Sequence, residues 1–225
     1  MGKQGDIVSE YDLKTYKYGP ASGGKPQQLV ILLHGLGSDG RDLIGLAPFL
    51  AQEIPDAIFI SPDAPFPCDM APVGYQWFSL QDRSASVTLA GVQKAAPVLD
   101  HFIADQMEKY NVPADKTALV GFSQGTMMSL YVGPRFPEKL AGVLGYSGAL
   151  VGGADLEEEG INKIPVHLVH GDADNVVEVD LYHLAEERLK EAGFDVSGGV
   201  TPGLGHNVDE AGIADGSAFL RRVLH

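Results

Sequence analysis

Cysteine is nearly absent from these 225 residues: Cys68 stands alone. No internal disulfide is available, which suits a reducing compartment and a cytoplasmic location. Long apolar runs are missing too. None approaches the roughly 20 residues of a membrane span, so stable membrane insertion is not expected. The segment Met1–Tyr11 carries Asp6 and Glu10 and no apolar stretch, so it does not read as a secretory signal. Gly2 invites N-myristoylation, but Asp6 stands where Ser or Thr is needed. Basic residues are scarce: 16 Lys and Arg against 30 Asp and Glu give a net charge of −14. Such a surface repels phosphate backbones and strongly anionic membranes, so no nucleic-acid partner is expected. Repeats, low-complexity tracts and domain-separating linkers are lacking as well. Neither H-E-x-x-H nor paired-cysteine spacing occurs, which argues against a metal site.

What is present reads as one α/β domain over residues 1–225. Four short apolar runs, Leu29–Leu33, Ala57–Ile60, Thr117–Val120 and Val166–Val169, are bounded by Gly or Pro. Ala141–Tyr146 and Asp195–Thr201 are weaker candidates. Continuous apolar runs of this length suit strands buried on both faces of a parallel sheet. Between them, Ser86–Tyr110 has apolar residues at helical spacing, with Pro97 expected to kink it. Val179–Ala192 reads as an amphipathic helix through Leu181, Leu184, Ala185 and Leu189, ending at Gly193. A further helix is expected around Asp42–Gln52. Leu13–Tyr18 alternates and precedes a turn over Pro20–Pro26, which predicts an antiparallel edge strand or hairpin. Ser61–Arg83 combines four prolines with Phe66, Tyr75, Trp77 and Phe78. It is expected to be a lid or a pocket wall.

The strongest chemical signal is Gly121-Phe122-Ser123-Gln124-Gly125, set between a predicted strand and a predicted helix. A serine hydroxyl is a weak nucleophile at neutral pH; it needs exposure, a base and a place for negative charge. A sharp strand-to-helix elbow exposes Ser123. Glycines at 121 and 125 are expected because side chains there would strike the turn or the neighbouring strand. The backbone amide of Gln124 points where an oxyanion would form. A second amide is needed from the loop after an early strand, and Leu36 in His34-Gly35-Leu36-Gly37 is its candidate. The base should follow the serine and the acid in the chain. His183 falls mid-helix and His225 ends the chain, whereas His206 lies in a Gly-rich loop after the last predicted strand. His34, His101, His167 and His170 read as structural. The acid lies in His170-Gly171-Asp172-Ala173-Asp174. Position alone leaves Asp172 and Asp174 both open, since either one could instead form a turn or cap a helix.

Taken together, these motifs resemble the phospholipase/carboxylesterase family of α/β-hydrolases, which includes acyl-protein thioesterases and bacterial carboxylesterases. Ser61-Pro62-Asp63-Ala64-Pro65, Gln76-Trp77-Phe78, Ser147-Gly148-Ala149-Leu150 and Gly205-His206 add to the likeness, which covers nearly the whole chain. The resemblance implies an α/β-hydrolase fold with a mostly parallel central sheet, helices on both faces and no large cap domain. It implies a triad of Ser123, Asp174 and His206, an oxyanion hole from the Leu36 and Gln124 amides, and no cofactor. Trp77, Phe78 and Leu36 are the candidates for an acyl pocket. The chain departs from the family at Glu178, where proline often follows the acid, and Tyr75–Leu80 takes a form closer to the bacterial members. The expected partner is a small-molecule ester of small to medium acyl length. Thioesters or lysophospholipids are the alternative substrates, and a homodimer stays open. A catalytically dead binding protein would not need all three triad residues.

Overall fold

A computed structural model describes residues 12–225 of the chain. The readings made on Met1–Tyr11 lie outside the described residues. In chain order the elements are β1 (Thr15–Tyr18), β2 (Gln28–Leu33), α1 (Gly40–Leu43), α2 (Ala47–Leu50), β3 (Ala57–Pro62), β4 (Phe66–Pro67) and β5 (Tyr75–Gln76). They continue with α3 (Ala85–Tyr110), β6 (Thr117–Phe122), α4 (Gln124–Arg135), β7 (Gly142–Tyr146), β8 (Val166–Gly171), α5 (Val179–Glu191), β9 (Val196–Thr201) and α6 (Glu210–Leu224). Seven strands form one sheet in the order β1-β3-β2-β6-β7-β8-β9, and β4 and β5 pair separately as a small hairpin. All neighbours in the large sheet are parallel except β1, which runs antiparallel to β3 at the edge. The N-terminal strand is thus an edge strand, paired with β3 and not in a hairpin with β2.

Because side chains alternate along a strand, each apolar run supplies both faces of the sheet. Leu29, Ile31, Leu33, Leu119 and Val143 face α3, α4 and α5, where they meet Leu99, Ile103, Met128 and Leu189. Val30, Leu32, Val120 and Leu144 face the other layer, where Ala47, Leu50, Phe219 and Leu220 cover them. Fully burying one such side chain contributes about 1.5–3 kcal/mol, so these two layers carry the stability. Among the described residues no helix is long and apolar enough to cross a membrane.

Two details differ from the periodicity reading, the helix over 42–52 and the buried face of α5. The helix expected over 42–52 is broken into α1, a 3-10 turn at Ile44–Leu46 and α2. Gly45 is a poor helix former, and Pro48 has no N–H to give the carbonyl four residues back. Helix α3 passes through Pro97 without interruption. In α5 the buried residues are Tyr182, Ala185 and Leu189, whereas Leu181 and Leu184 are exposed.

Candidate active site

The parallel strands end on one side of the sheet, and the candidate triad and oxyanion residues lie just beyond such ends, as parallel sheets favour. β2 leads into His34–Gly37, β6 into Ser123, β8 into Asp172–Asp174 and β9 into the His206 loop. Ser123 has φ 54° and ψ −115°, a conformation L-residues avoid and one that costs about 1–3 kcal/mol. Close packing enforces it. A methyl group on Gly125 would strike the carbonyl of Leu33 in β2, and one on Gly121 would strike the backbone of Gly125 and Thr126. The backbone N–H of Ser123 is taken by the carbonyl of Tyr146, 2.9 Å away. That fixes the elbow against β7.

Asp174 is buried, and its two carboxylate oxygens have separate partners. Oδ1 accepts the N–H groups of Val176 and Val177 at 2.8 and 2.9 Å. Oδ2 accepts Nδ1–H of His206 at 2.7 Å. Burial alone would raise this carboxyl's pKa. The hydrogen bond from His206, the two backbone amides and the imidazole's charge outweigh it, and the carboxyl lies below its ordinary value. Asp172 is exposed, and its Oδ1 accepts the N–H of Gly203 at 2.6 Å. It therefore holds the histidine loop and does not fold back on its own turn. Of the two aspartates left open by the sequence, Asp174 is the one that meets His206. With Nδ1 donating to Asp174, the other ring nitrogen of His206 is left as an acceptor. No hydrogen bond joins Ser123 to His206 in this conformation. Both line one cleft, and such bonds often tighten only when substrate binds.

The candidate oxyanion donors are placed from two directions. Gln124 is the first residue of α4, so its N–H has no intrahelical acceptor. Gly35 packs on Ser123 and Phe122, which brings the Leu36 loop against the elbow. Among the described residues no protein acceptor takes the Leu36 N–H. His34 itself is buried; its Nδ1 donates to the Gly35 carbonyl at 2.7 Å, and its Nε2 accepts the Ala64 N–H at 2.9 Å. Burial pushes its pKa below the ordinary value. It is a structural residue here, as are His167, stacked on Phe219, and His170, whose Nε2 donates to Val177.

The cleft has a volume of about 470 Å³. Leu36 lines it, together with Leu80, Met127, Ala149, Leu150, Val151, Val176 and Leu181. Trp77 and Phe78 do not. Trp77 is 0% exposed, with its indole N–H donated to the His34 carbonyl, and Phe78 is packed under α3 against Gly91. Their expected place on the acyl wall is therefore corrected: both rings are drawn into the core beneath the loop, where their apolar area is removed from water. The wall comes instead from Leu80 and Arg83 at the end of the same loop, from Met127 of α4, from the segment after Ser147-Gly148 and from Val176, Val177 and Leu181 around the start of α5. Leu181 belongs to it, although its spacing had marked it as a core residue.

A profile of the family described as phospholipase/carboxylesterase matches residues 20–224. The chain belongs to this family. It is 32% identical to the esterase YpfH of Escherichia coli over 183 residues, covering 81% of this chain and 77% of that one. It is 28% identical to acyl-protein thioesterase 1 of Candida albicans over 221 residues, covering 91% and 96%. Among solved structures, esterase PE8 superimposes with a TM-score of 0.88 at 42% identity, covering 94% of this chain and 99% of that one. As a member of the phospholipase/carboxylesterase family the protein is an ester hydrolase of the α/β-hydrolase fold. Between β7 and β8 the family fold here carries only a 3-10 turn, Gly153–Asp155, held by an ion pair from Arg135 to Asp155.

Proposed function

We propose that the protein hydrolyses carboxylic esters through an acyl-enzyme on Ser123, with His206 as general base and Asp174 as its partner. The single observation that carries this reading is the 2.7 Å bond from His206 Nδ1 to buried Asp174, opening on the cleft that the Ser123 elbow also lines. Ser123 Oγ attacks the carbonyl carbon while its proton passes to His206 Nε2. The carbonyl oxygen becomes an oxyanion, held by the Leu36 and Gln124 amides. Collapse breaks the ester C–O bond, and the proton on His206 goes to the leaving alkoxide. Water then attacks the acyl-enzyme, giving its proton to His206. The acid departs as that proton returns to Ser123. Throughout, Asp174 stays ionised and stabilises the imidazolium.

The apolar cleft supports a small to medium acyl group, and the same machinery would act on thioesters, as the name of the Candida relative suggests. The lone cysteine supports a cytoplasmic site of action. The decisive experiment combines a fluorophosphonate probe with a series of esters and thioesters of graded acyl length. Wild type should be labelled at Ser123, and Ser123→Ala should be folded, unlabelled and slower in turnover by about 10⁶-fold. An unlabelled wild type, or an active Ser123→Ala, would refute the assignment. Faster turnover of thioesters than of esters at matched acyl length would move the reading to the thioesterase alternative.

A further inference from the structure

Building on the serine mechanism above, we propose that Trp77 and the side chain of Gln124 are positioning residues that set the separation between the two oxyanion donors. The side chain of Gln124 is fully buried and uses both of its ends. Its Oε1 accepts the backbone N–H of Trp77 at 2.9 Å, and its Nε2 donates to the carbonyl of Phe78 at 2.8 Å. The residue that follows the nucleophile is thereby fastened to the segment just after β5.

That same segment is fastened to the other donor loop. The indole N–H of Trp77 reaches the His34 carbonyl at 3.1 Å. The carbonyl of Tyr75 accepts from Gly37 at 2.9 Å, and the Tyr75 N–H donates to the Ser38 carbonyl at 2.8 Å. Leu36 is therefore bracketed, with residues on both sides bonded to Tyr75–Trp77, while its own N–H has no protein acceptor among the described residues. The packing is too close for drift: a side chain on Gly74 would collide with the carbonyl of Gly37. A buried network with every member satisfied is stiff, because breaking one bond strands a polar group away from water. Its stiffness bears on catalysis, since a donor displaced by about 1 Å can cost 10²-fold in rate. The proline-rich loop thus acts as a spacer between two amides, with its aromatics turned inward.

The test compares wild type with Trp77→Phe, which keeps an aromatic ring but deletes the pyrrole half of the indole with its N–H, and with Gln124→Met, which keeps length and backbone amide. Three quantities are read: kcat and KM on the preferred ester, the inhibition constant of an alkyl trifluoromethyl ketone, and the melting temperature. The ketone's serine adduct carries an oxyanion, so it reports the hole directly. Each variant should lose about 10- to 100-fold in kcat, the lower range for a weakened oxyanion donor, with KM within about twofold. Ketone binding should weaken by the same factor. The double variant should be no worse than the poorer single one, since both break one network. Unchanged kcat and ketone binding with a lowered melting temperature would overturn the proposal and leave Trp77 as packing alone. A raised KM at constant kcat would overturn it in favour of a substrate wall. If Trp77→Phe does not fold, Gln124→Met decides by the same criteria. Absence of fluorophosphonate labelling in wild type would defeat the serine mechanism and this proposal together, whereas labelled wild type with fully active variants would defeat this proposal alone.

Discussion

Replacing Asp174 with asparagine changes one atom and should nearly abolish turnover, for a reason visible in how its two oxygens are engaged. Oδ1 holds the N–H groups of Val176 and Val177, so in Asp174→Asn the amide oxygen keeps that position. The NH₂ group must then face His206 Nδ1 across a 2.7 Å gap. Two donors cannot share that gap, so the imidazole gives up its Nδ1 proton and carries it on Nε2. In that tautomer it cannot accept the proton of Ser123. The expected fall in kcat is about 10⁴-fold, which corresponds to about 5.4 kcal/mol at 1.36 kcal/mol per decade. The fold should survive, since both backbone bonds to residue 174 are kept. Asp172→Asn is the control: its acceptor for Gly203 is preserved and the residue is exposed, so turnover should stay within a few-fold. The assay is single-turnover hydrolysis of a 4-nitrophenyl ester under identical conditions, with circular dichroism confirming that each variant is folded. An inactive Asp172→Asn beside a near-normal Asp174→Asn would refute the reasoning and move the acid two residues upstream.

Two further outcomes test stability and not chemistry. Asp100 on α3 has a buried Oδ1 without a partner, and burial raises its pKa to about 6 from an ordinary 3.8. Its folded form therefore holds a proton longer than the unfolded chain, so stability is lost as pH rises between about 4 and 6. Asp100→Asn should gain about 1 kcal/mol in urea denaturation at pH 8, after a discount for the group's partial exposure, and nothing below pH 4. An equal gain at both pH values would sink this account. Gly125→Ala should destabilise by more than about 3 kcal/mol, because its methyl would overlap the Leu33 carbonyl and the start of α4 would have to lift away from β2. An unchanged urea midpoint would contradict that packing.

Those glycines show what was legible in the sequence. Gly121 and Gly125 could be assigned before any coordinates, because the need for close approach at a strand-to-helix elbow follows from local geometry. The strands were legible for a similar reason: continuous apolar runs such as Leu29–Leu33 have no polar face to offer water, so they belong inside a parallel sheet. The cleft wall was harder to read. Leu80, Leu150 and the 176–181 stretch are far apart in the chain and meet only through the topology, and none has a local pattern that separates a cleft residue from a core one. Trp77 was misread for the converse reason. An aromatic in a proline-rich loop has the composition of a pocket wall, but a loop that packs back on the sheet buries its ring. Only the bonds from Trp77 to His34 and Gln124 distinguish the two.

The two aspartates explain why the acid could not be chosen from position. Both lie beyond the end of β8, and both reach the same histidine loop, at points three residues apart. Asp172 takes Gly203 and Asp174 takes His206, while between them the Ala173 N–H donates to the Leu204 carbonyl at 3.0 Å. Gly171 lets the loops touch, since any side chain there would strike Leu204. The acid loop and the histidine loop are thus joined bond by bond, like a short stretch of sheet continued past the strand ends. In such an arrangement only the residue opposite the imidazole can be the acid, and its neighbour fixes the register. A one-residue deletion within 202–205 should therefore be worse than any single substitution there, because it draws His206 away from Asp174 while leaving both residues in place. Losing the activity of the shortened loop with the melting temperature preserved would bear this out. Full activity in a folded deletion variant would show that His206 finds Asp174 without the register that Asp172 supplies.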